Sequence, residues 1–188
     1  KVCPTEVLCE GVCVFKKQKI KSLEIGRLQT FATTTAIVHN KKLFAVSENK
    51  RAKVAVIGAG PAGIACACEL RLHGYLVDIY EEKAQPSGLL IHGVAPYKIE
   101  NLEITTEINY LQSIFGFTVH YNSPIKTKTD LRKLEKTYSA IFLGIGLGNT
   151  KSLNIRNEDL KNCIGATEFI EQLKLNRLTT GVGKKVVV

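Results

Sequence analysis

Lys53-Val54-Ala55-Val56-Ile57-Gly58-Ala59-Gly60-Pro61-Ala62-Gly63 is the stretch that decides the fold. Val54 to Ile57 is a short, unbroken apolar run, suited to a strand buried on both faces. The segment from Pro61 to His73 reads as a helix closed by Gly74. A G-x-G-x-x-G spacing alone is a weak signal, but between a strand and a helix it becomes a strong one. Gly58 permits the tight turn, Gly60 lets the backbone approach a pyrophosphate, and Gly63 lets the helix pack close to the strand. Pro61 suits the first helical position, where no N–H is needed. The N–H groups of Ala62 and Gly63 then face the anion together with the helix dipole. Leu76 to Tyr80 reads as the next strand, and Glu81 ends it, 18 residues after Gly63. A carboxylate there accepts hydrogen bonds from both hydroxyls of an adenosine ribose and repels a 2′-phosphate. The turn is therefore expected to hold FAD or NAD and not NADP; a turn without a ligand is the alternative.

Outward from this turn the alternation continues. Ile104, Ile108, Leu111 and Phe115 recur at helical spacing before Gly116, and Phe117 to Tyr121 is strand-like. Leu131, Leu134 and Tyr138 mark a further helix, Ala140 to Leu143 a further buried strand, and Glu168 to Leu175 a last helix. Such βαβ alternation implies a parallel sheet with helices on its faces. Upstream, residues 21–50 read as one helix with Ile25, Leu28 and Ala32 on one face, followed by a loose link after His39. At the far end, Gly183 to Val188 repeats the texture of Arg51 to Val56. It is expected to open a second nucleotide-binding domain, with an edge strand as the plainer alternative. The expected organisation is thus 1–50, 51–182 and 183–188.

Composition sets limits on this reading. The chain has 188 residues, 45% of them apolar, and no apolar run approaches the roughly 18 residues of a membrane helix. No hydrophobic leader opens it. It contains no Met, not even at position 1, so we read it as an internal piece of a longer protein. Its net charge of +9 comes from 20 Lys and 6 Arg against 17 acids. A scattered Lys excess reads as a solvated basic surface, with docking on an acidic partner as the alternative. Nucleic-acid binding is not expected, because base and phosphate readers lean on Arg forks.

Cys3, Cys9 and Cys13 form C-x5-C-x3-C. Three thiols within eleven residues suit an iron–sulfur cluster, with a zinc site or free thiols as alternatives. Three ligands do not complete a cubane, so further ligands must come from elsewhere. Cys66 and Cys68 are about 200° apart on a helix and read as packing residues, and Cys163 as a plain thiol. His39, His73, His92 and His120 form no spaced pair and receive no catalytic role; His92 lies in the loop after Glu81.

Cys3 to Cys13, then Ile25-Gly26-Arg27-Leu28-Gln29, then the glycine turn resemble the family of glutamate synthase small subunits and dihydropyrimidine dehydrogenase flavin domains. The resemblance covers essentially the whole chain. It implies an α/β fold: a Rossmann-like parallel sheet binding FAD, preceded by a small helical segment with [4Fe–4S] clusters. It implies that Cys3, Cys9 and Cys13 are cluster ligands, and that Gln29, sixteen residues after Cys13, completes one cluster. It places Gly88, Leu89, Gly93 and Lys98 along the flavin, in a loop where Ser87 replaces the family's first Gly. Lys98 stands where the family usually has Arg. It also places Gly146 in a second flavin-side turn, Gly144-Ile145-Gly146. Gly93-Val94-Ala95-Pro96 tilts the resemblance toward the dihydropyrimidine dehydrogenase branch.

The activity implied is that of an NAD(P)H-dependent oxidoreductase of the cytoplasm. Electrons would pass from NAD(P)H through FAD to [4Fe–4S] clusters and on to a partner catalytic subunit or domain. The 188 residues alone are not expected to turn over. A non-catalytic nucleotide-binding module that retains the fold is the alternative. A disulfide reductase is disfavoured, because Cys66-Ala67-Cys68 has the wrong spacing and lies on the wrong helix.

Overall fold

The computed structural model describes residues 2–48, 52–148, 150–175 and 181–188. Two compact units divide between Ala45 and Val46. The division falls five residues before the expected boundary, because Val46 packs on the core of the second unit and Ser47 donates its N–H to the Leu72 carbonyl. Arg51 lies outside the described residues.

The first unit carries a short helix α1 (Val14–Lys17) and the expected long helix α2 (Ile25–Val38). The apolar face read from Ile25, Leu28 and Ala32 does not turn inward. Leu28 is 61% exposed, and Ala36 is the one buried side chain among the described residues of this unit. Among the described residues of this unit, no second apolar layer covers that face.

The second unit runs β1 (Lys53–Ile57), α3 (Pro61–Leu72), β2 (Leu76–Tyr80), α4 (Leu89–His92), α5 (Asn101–Phe115), β3 (Thr118–His120), α6 (Lys128–Thr137), β4 (Ala140–Leu143) and α7 (Ala166–Leu175). The sheet order is β3-β2-β1-β4 and every pairing is parallel. Ala55 stands opposite Asp78 on one side and Ile141 on the other. Period-2 alternation sends Val56, Val77 and Ile79 to one face, where they meet Ile64 and Ala67 of α3 and Ile108 and Phe115 of α5. Ala55 and Ile57 point to the other face, against Leu134 of α6. The partly buried Cys66 and Cys68 pack against the larger cluster, the packing role expected of them.

Three expectations shift. β4 forms, but Phe142 and Leu143 are 37% and 63% exposed, because this strand pairs only with β1 among the described residues. α6 stops at Thr137. Tyr138 is extended, and its hydroxyl donates to Asp78 Oδ2 at 2.7 Å and meets the Tyr80 hydroxyl at 2.8 Å. Burial and these two neighbours push the Tyr138 hydroxyl well above the ordinary tyrosine range. Residues 183–188 form no strand; they are exposed coil, since a strand needs a neighbour to close its hydrogen bonds and none of the described strands pairs with them. Among the described residues, no helix is long and apolar enough to cross a membrane.

Candidate functional site

β2 and β3 extend the sheet on one side of β1, and β4 on the other, so the chain reverses its winding between β1 and β4. In parallel α/β sheets the crevice at the carboxyl ends of two such strands is where ligands bind. The glycine turn sits at that point. Gly58 has φ +98° and donates its N–H to the Tyr80 carbonyl at 2.8 Å. A Cβ on Gly63 would stand 1.9 Å from the Gly58 carbonyl oxygen, so α3 can lie this close to β1 only with a glycine there. A Cβ on Gly60 would meet nothing nearer than the Gly144 carbonyl oxygen at 4.0 Å. Packing therefore does not require glycine at position 60. The bare backbone instead opens free space at the start of α3, where the first-turn N–H groups have no helical acceptors. That space fits an approaching pyrophosphate.

Glu81 is 7% exposed. Its Oε2 accepts from the Ala59 N–H at 2.7 Å, and its Oε1 from the Lys83 N–H at 2.9 Å. The residue read from sequence as a ribose ligand thus also fastens the turn, and each oxygen keeps a second lone pair for a hydroxyl. The following loop closes on the same turn. Ser87 donates its N–H to the Ala59 carbonyl at 2.7 Å, and a Cβ on Gly88 would stand 3.3 Å from Gly60 Cα. Ser87 itself is buried in the left-handed region, with φ +71°. Glycine would sit there without strain, so the Ser in place of the family's Gly carries a backbone cost.

Other sequence-selected residues are spread more widely. Leu89 is 54% exposed, and Gly93 packs under it, donating its N–H to the Leu89 carbonyl at 2.8 Å. Lys98 is exposed. Gly146 has φ +70° with open space around it. The close approach in that turn belongs to Gly144, which donates its N–H to the Ile57 carbonyl at 2.8 Å and would carry a Cβ 3.2 Å from Gly63 Cα. Lys83, His92, Glu171 and Lys174, which sequence reasoning left without a role, gather beside α4.

In the first unit, Cys3 and Gln29 face one open cavity of about 870 Å³, together with Glu6 and Glu10. Cys9 and Cys13 are half-buried and are not in that wall. All three are free thiols, and backbone N–H groups, led by Leu23 and then Phe15, hold the Cys13 thiol below its ordinary value. The donor chemistry fits iron–sulfur ligation, since the thiolate is the ligating form. Among the described residues, no three His, Cys, Asp or Glu side chains stand close enough to hold an ion by themselves.

The fold and its turn define a class: a Rossmann-like dinucleotide-binding unit with a cysteine-bearing helical unit before it. Comparison with known proteins agrees in the same order. Residues 1–41 match the family described as dihydropyrimidine dehydrogenase domain II, 4Fe-4S cluster, and residues 56–126 the NAD(P)-binding Rossmann-like domain. The chain is 29% identical over 171 residues to the glutamate synthase [NADPH] small chain of Azospirillum brasilense, covering 90% of this chain and 35% of that protein. It is 31% identical over 153 residues to the NAD-dependent dihydropyrimidine dehydrogenase subunit PreT of Escherichia coli, covering 81% and 37%. It is 32% identical over 194 residues to the NADPH-Fe(3+) oxidoreductase subunit beta of Geobacter sulfurreducens, covering 100% and 28%. Mycobacterium tuberculosis FprA, solved in complex with NADPH, superposes with a TM-score of 0.58 at 25% identity, covering 65% of this chain and 29% of FprA. The chain is thus related to the glutamate synthase small chains and dihydropyrimidine dehydrogenase subunits, the family its sequence resembles, and its relatives are oxidoreductases. It spans about a third of the length of these curated relatives.

Proposed function

We propose that this chain is the electron-input part of an NAD(P)H-dependent oxidoreductase of the cytoplasm. It binds FAD at the β1 turn and supplies Cys3, Cys9, Cys13 and Gln29 to [4Fe–4S] clusters. The electrons then go to a partner catalytic subunit or domain, which the exposed Lys-rich surface would meet through acidic groups. The observation that carries the reading is the free space at Gly60, set at the winding reversal of a parallel sheet and next in sequence to Ala59, whose N–H the buried Glu81 accepts. FAD held at the β1 turn would supply hydride acceptance and single-electron release, with Cys3, Cys9, Cys13 and Gln29 holding the clusters that would take up those electrons. The chain's own residues position and insulate. The start of α3 and the Gly60 backbone hold the pyrophosphate. Glu81, fixed by Ala59 and Lys83, accepts from the ribose hydroxyls and repels a 2′-phosphate. Gly88 brings the second loop against the first. The thiolate-favouring backbone around Cys13 favours metal ligation. Hydride transfer to a flavin requires no general acid or base, which agrees with a site built from backbone rather than from a catalytic constellation.

The test is an anaerobic visible spectrum of the full-length protein, with flavin and iron quantified. A flavin band together with broad iron–sulfur absorption is expected. A folded, colourless preparation overturns the reading.

A further inference from the structure

A second polar cluster stands outside the glycine turn and has no part in the reading above. α7 packs against α4. From α7, Glu171 Oε1 accepts from Lys83 Nζ at 2.5 Å and stands 2.8 Å from Nδ1 of His92. One turn further along α7, Lys174, which is 6% exposed, donates Nζ to the Leu90 carbonyl at 2.7 Å. Its own carbonyl accepts from Asn101 Nδ2 of α5 at 3.4 Å.

The placement of these contacts gives them meaning. Lys83 is the residue whose N–H binds Glu81, and His92 is the last residue of α4, whose N-cap Gly88 lies so near Gly60 that a Cβ on it would stand 3.3 Å from Gly60 Cα. One helix therefore grips both ends of the loop that covers the dinucleotide turn. Burying a base is unfavourable unless a partner offsets it: Lys174 has its bond to Leu90, whereas the buried ring nitrogens of His92 make no hydrogen bond among the described residues and have the Glu171 carboxylate beside them only as a neighbouring charge. A loop without a positional task needs no such arrangement.

We infer that α7 is the positioning element of the dinucleotide loop, with Glu171 acting through Lys83 and His92 and Lys174 acting through Leu90. Together they hold Gly88 against Gly60 and so set the affinity for FAD. The inference rests on the flavin assignment made above.

His92 supplies a readout that mere structure would not. The charges facing it are Lys83 from the loop and Glu171 from α7, where Lys174 also lies; α5 contributes the uncharged Asn101, and its acids Glu103 and Glu107 are exposed. Burial first, then Lys83, holds His92 below its ordinary 6.5, against the opposing pull of Glu171. A base with a lowered value in the folded state contributes stability above its free value. That contribution is lost as pH falls through the folded value. The grip on the loop therefore weakens in mild acid.

The test titrates the flavin-stripped full-length protein with FAD between pH 5 and 8 by flavin fluorescence, and follows hydrogen exchange of residues 83–93 without flavin. Glu171→Ala is expected to weaken FAD binding about tenfold, within the range for residues sharing one network, and to speed exchange of the loop. Glu171→Asp should recover part of both. Wild-type affinity should fall from pH 7 toward pH 5, and His92→Asn should flatten that fall. Wild-type affinity or unchanged loop exchange in Glu171→Ala overturns the inference, as does an unaltered pH profile in His92→Asn. A wild-type protein that takes up no FAD overturns the flavin assignment instead, and loop exchange then decides the role of α7 on its own.

Discussion

Gly60→Ala and Gly63→Ala place the same methyl group three residues apart, and the structure assigns them opposite consequences. At Gly63 the new carbon lands 1.9 Å from the Gly58 carbonyl oxygen, where a weak C–H···O contact needs about 3.3 Å. The helix start must retreat by roughly 1.4 Å on that spacing. The obstruction is backbone, so no rotamer relieves it, and the cost belongs near the top of the roughly 1–3 kcal/mol seen for overpacking. Replacing a helical Gly by Ala returns up to about 1 kcal/mol. The net loss is about 2 kcal/mol, or a fall of about 6–8 °C in Tm for a unit of this size. At Gly60 the methyl meets open space and φ is −71°, which alanine adopts freely. The N-cap preference for Gly over Ala offsets the gain from a stiffer unfolded chain, so stability should stay within about 0.5 kcal/mol. The methyl does, however, occupy the pyrophosphate's approach. FAD binding should weaken by about 1–3 kcal/mol, roughly five- to 150-fold in Kd. Thermal melts and FAD titrations of the two variants decide the matter. If Gly60→Ala melts as low as Gly63→Ala, or binds FAD like wild type, the argument that position 60 is kept bare for a ligand is wrong.

Glu81→Ala leaves the Ala59 and Lys83 N–H groups without their carboxylate, and should cost about 1–3 kcal/mol in denaturant unfolding while also weakening FAD. Arg71→Ala removes a buried guanidinium that donates to the Phe115 carbonyl at 2.6 Å and the Tyr75 carbonyl at 2.9 Å; a loss of about 2–4 kcal/mol is expected in the same assay. Asp130, bonded to Thr127, and Glu168, bonded to Thr150 and lowered to about 2, are both held below their ordinary values. The stabilisation from Glu168 is therefore present above about pH 4.5 and lost as pH falls toward 2, that from Asp130 is likewise lost in acid, and Glu168→Gln should flatten the melting temperature across the Glu168 window. Alkylation of the iron-free protein, followed by mass spectrometry, should modify Cys13 well before Cys68, whose thiol burial pushes up to about 11.

The glycine turn was legible because glycine reports a steric demand directly. Gly58 needs its positive φ and Gly63 its missing Cβ, and both demands leave a mark at fixed spacing. β1 was legible for a related reason: a strand buried on both faces cannot alternate. The helix carrying Glu171 was legible as a helix, but not its task, because the contact with Lys83 spans 88 residues and no local pattern encodes a pairing at that distance. The close approach at Gly144 was not legible, because Gly144 and Gly146 look alike in sequence and only the sheet register puts Gly144 beside Ile57 and Gly63. The exposure of the apolar face of α2 was not legible for the opposite reason. Ile25, Leu28 and Ala32 have the right period, but a period names a face without supplying the surface that buries it.

That last failure separates the two units by what holds them. The second unit sets Val56, Ile79, Ile108 and Phe115 into one continuous apolar cluster, enough to offset the ordering of its backbone. The first unit buries Ala36 alone among its described residues, while Val7, Val12 and Phe31 are 69%, 72% and 73% exposed. Apolar burial on that scale cannot balance the entropy of fixing some forty residues, each costing about 1–2 kcal/mol for the backbone. Order in such a segment has to come from bonds stronger than packing, and small segments of this kind draw it from metal ligation, where the binding free energy is itself folding free energy. The three thiols between Cys3 and Cys13 are groups in this unit able to form such bonds, and they lie where the cluster-domain resemblance falls. On the proposed reading, the cysteines would fold the segment as well as make it conduct.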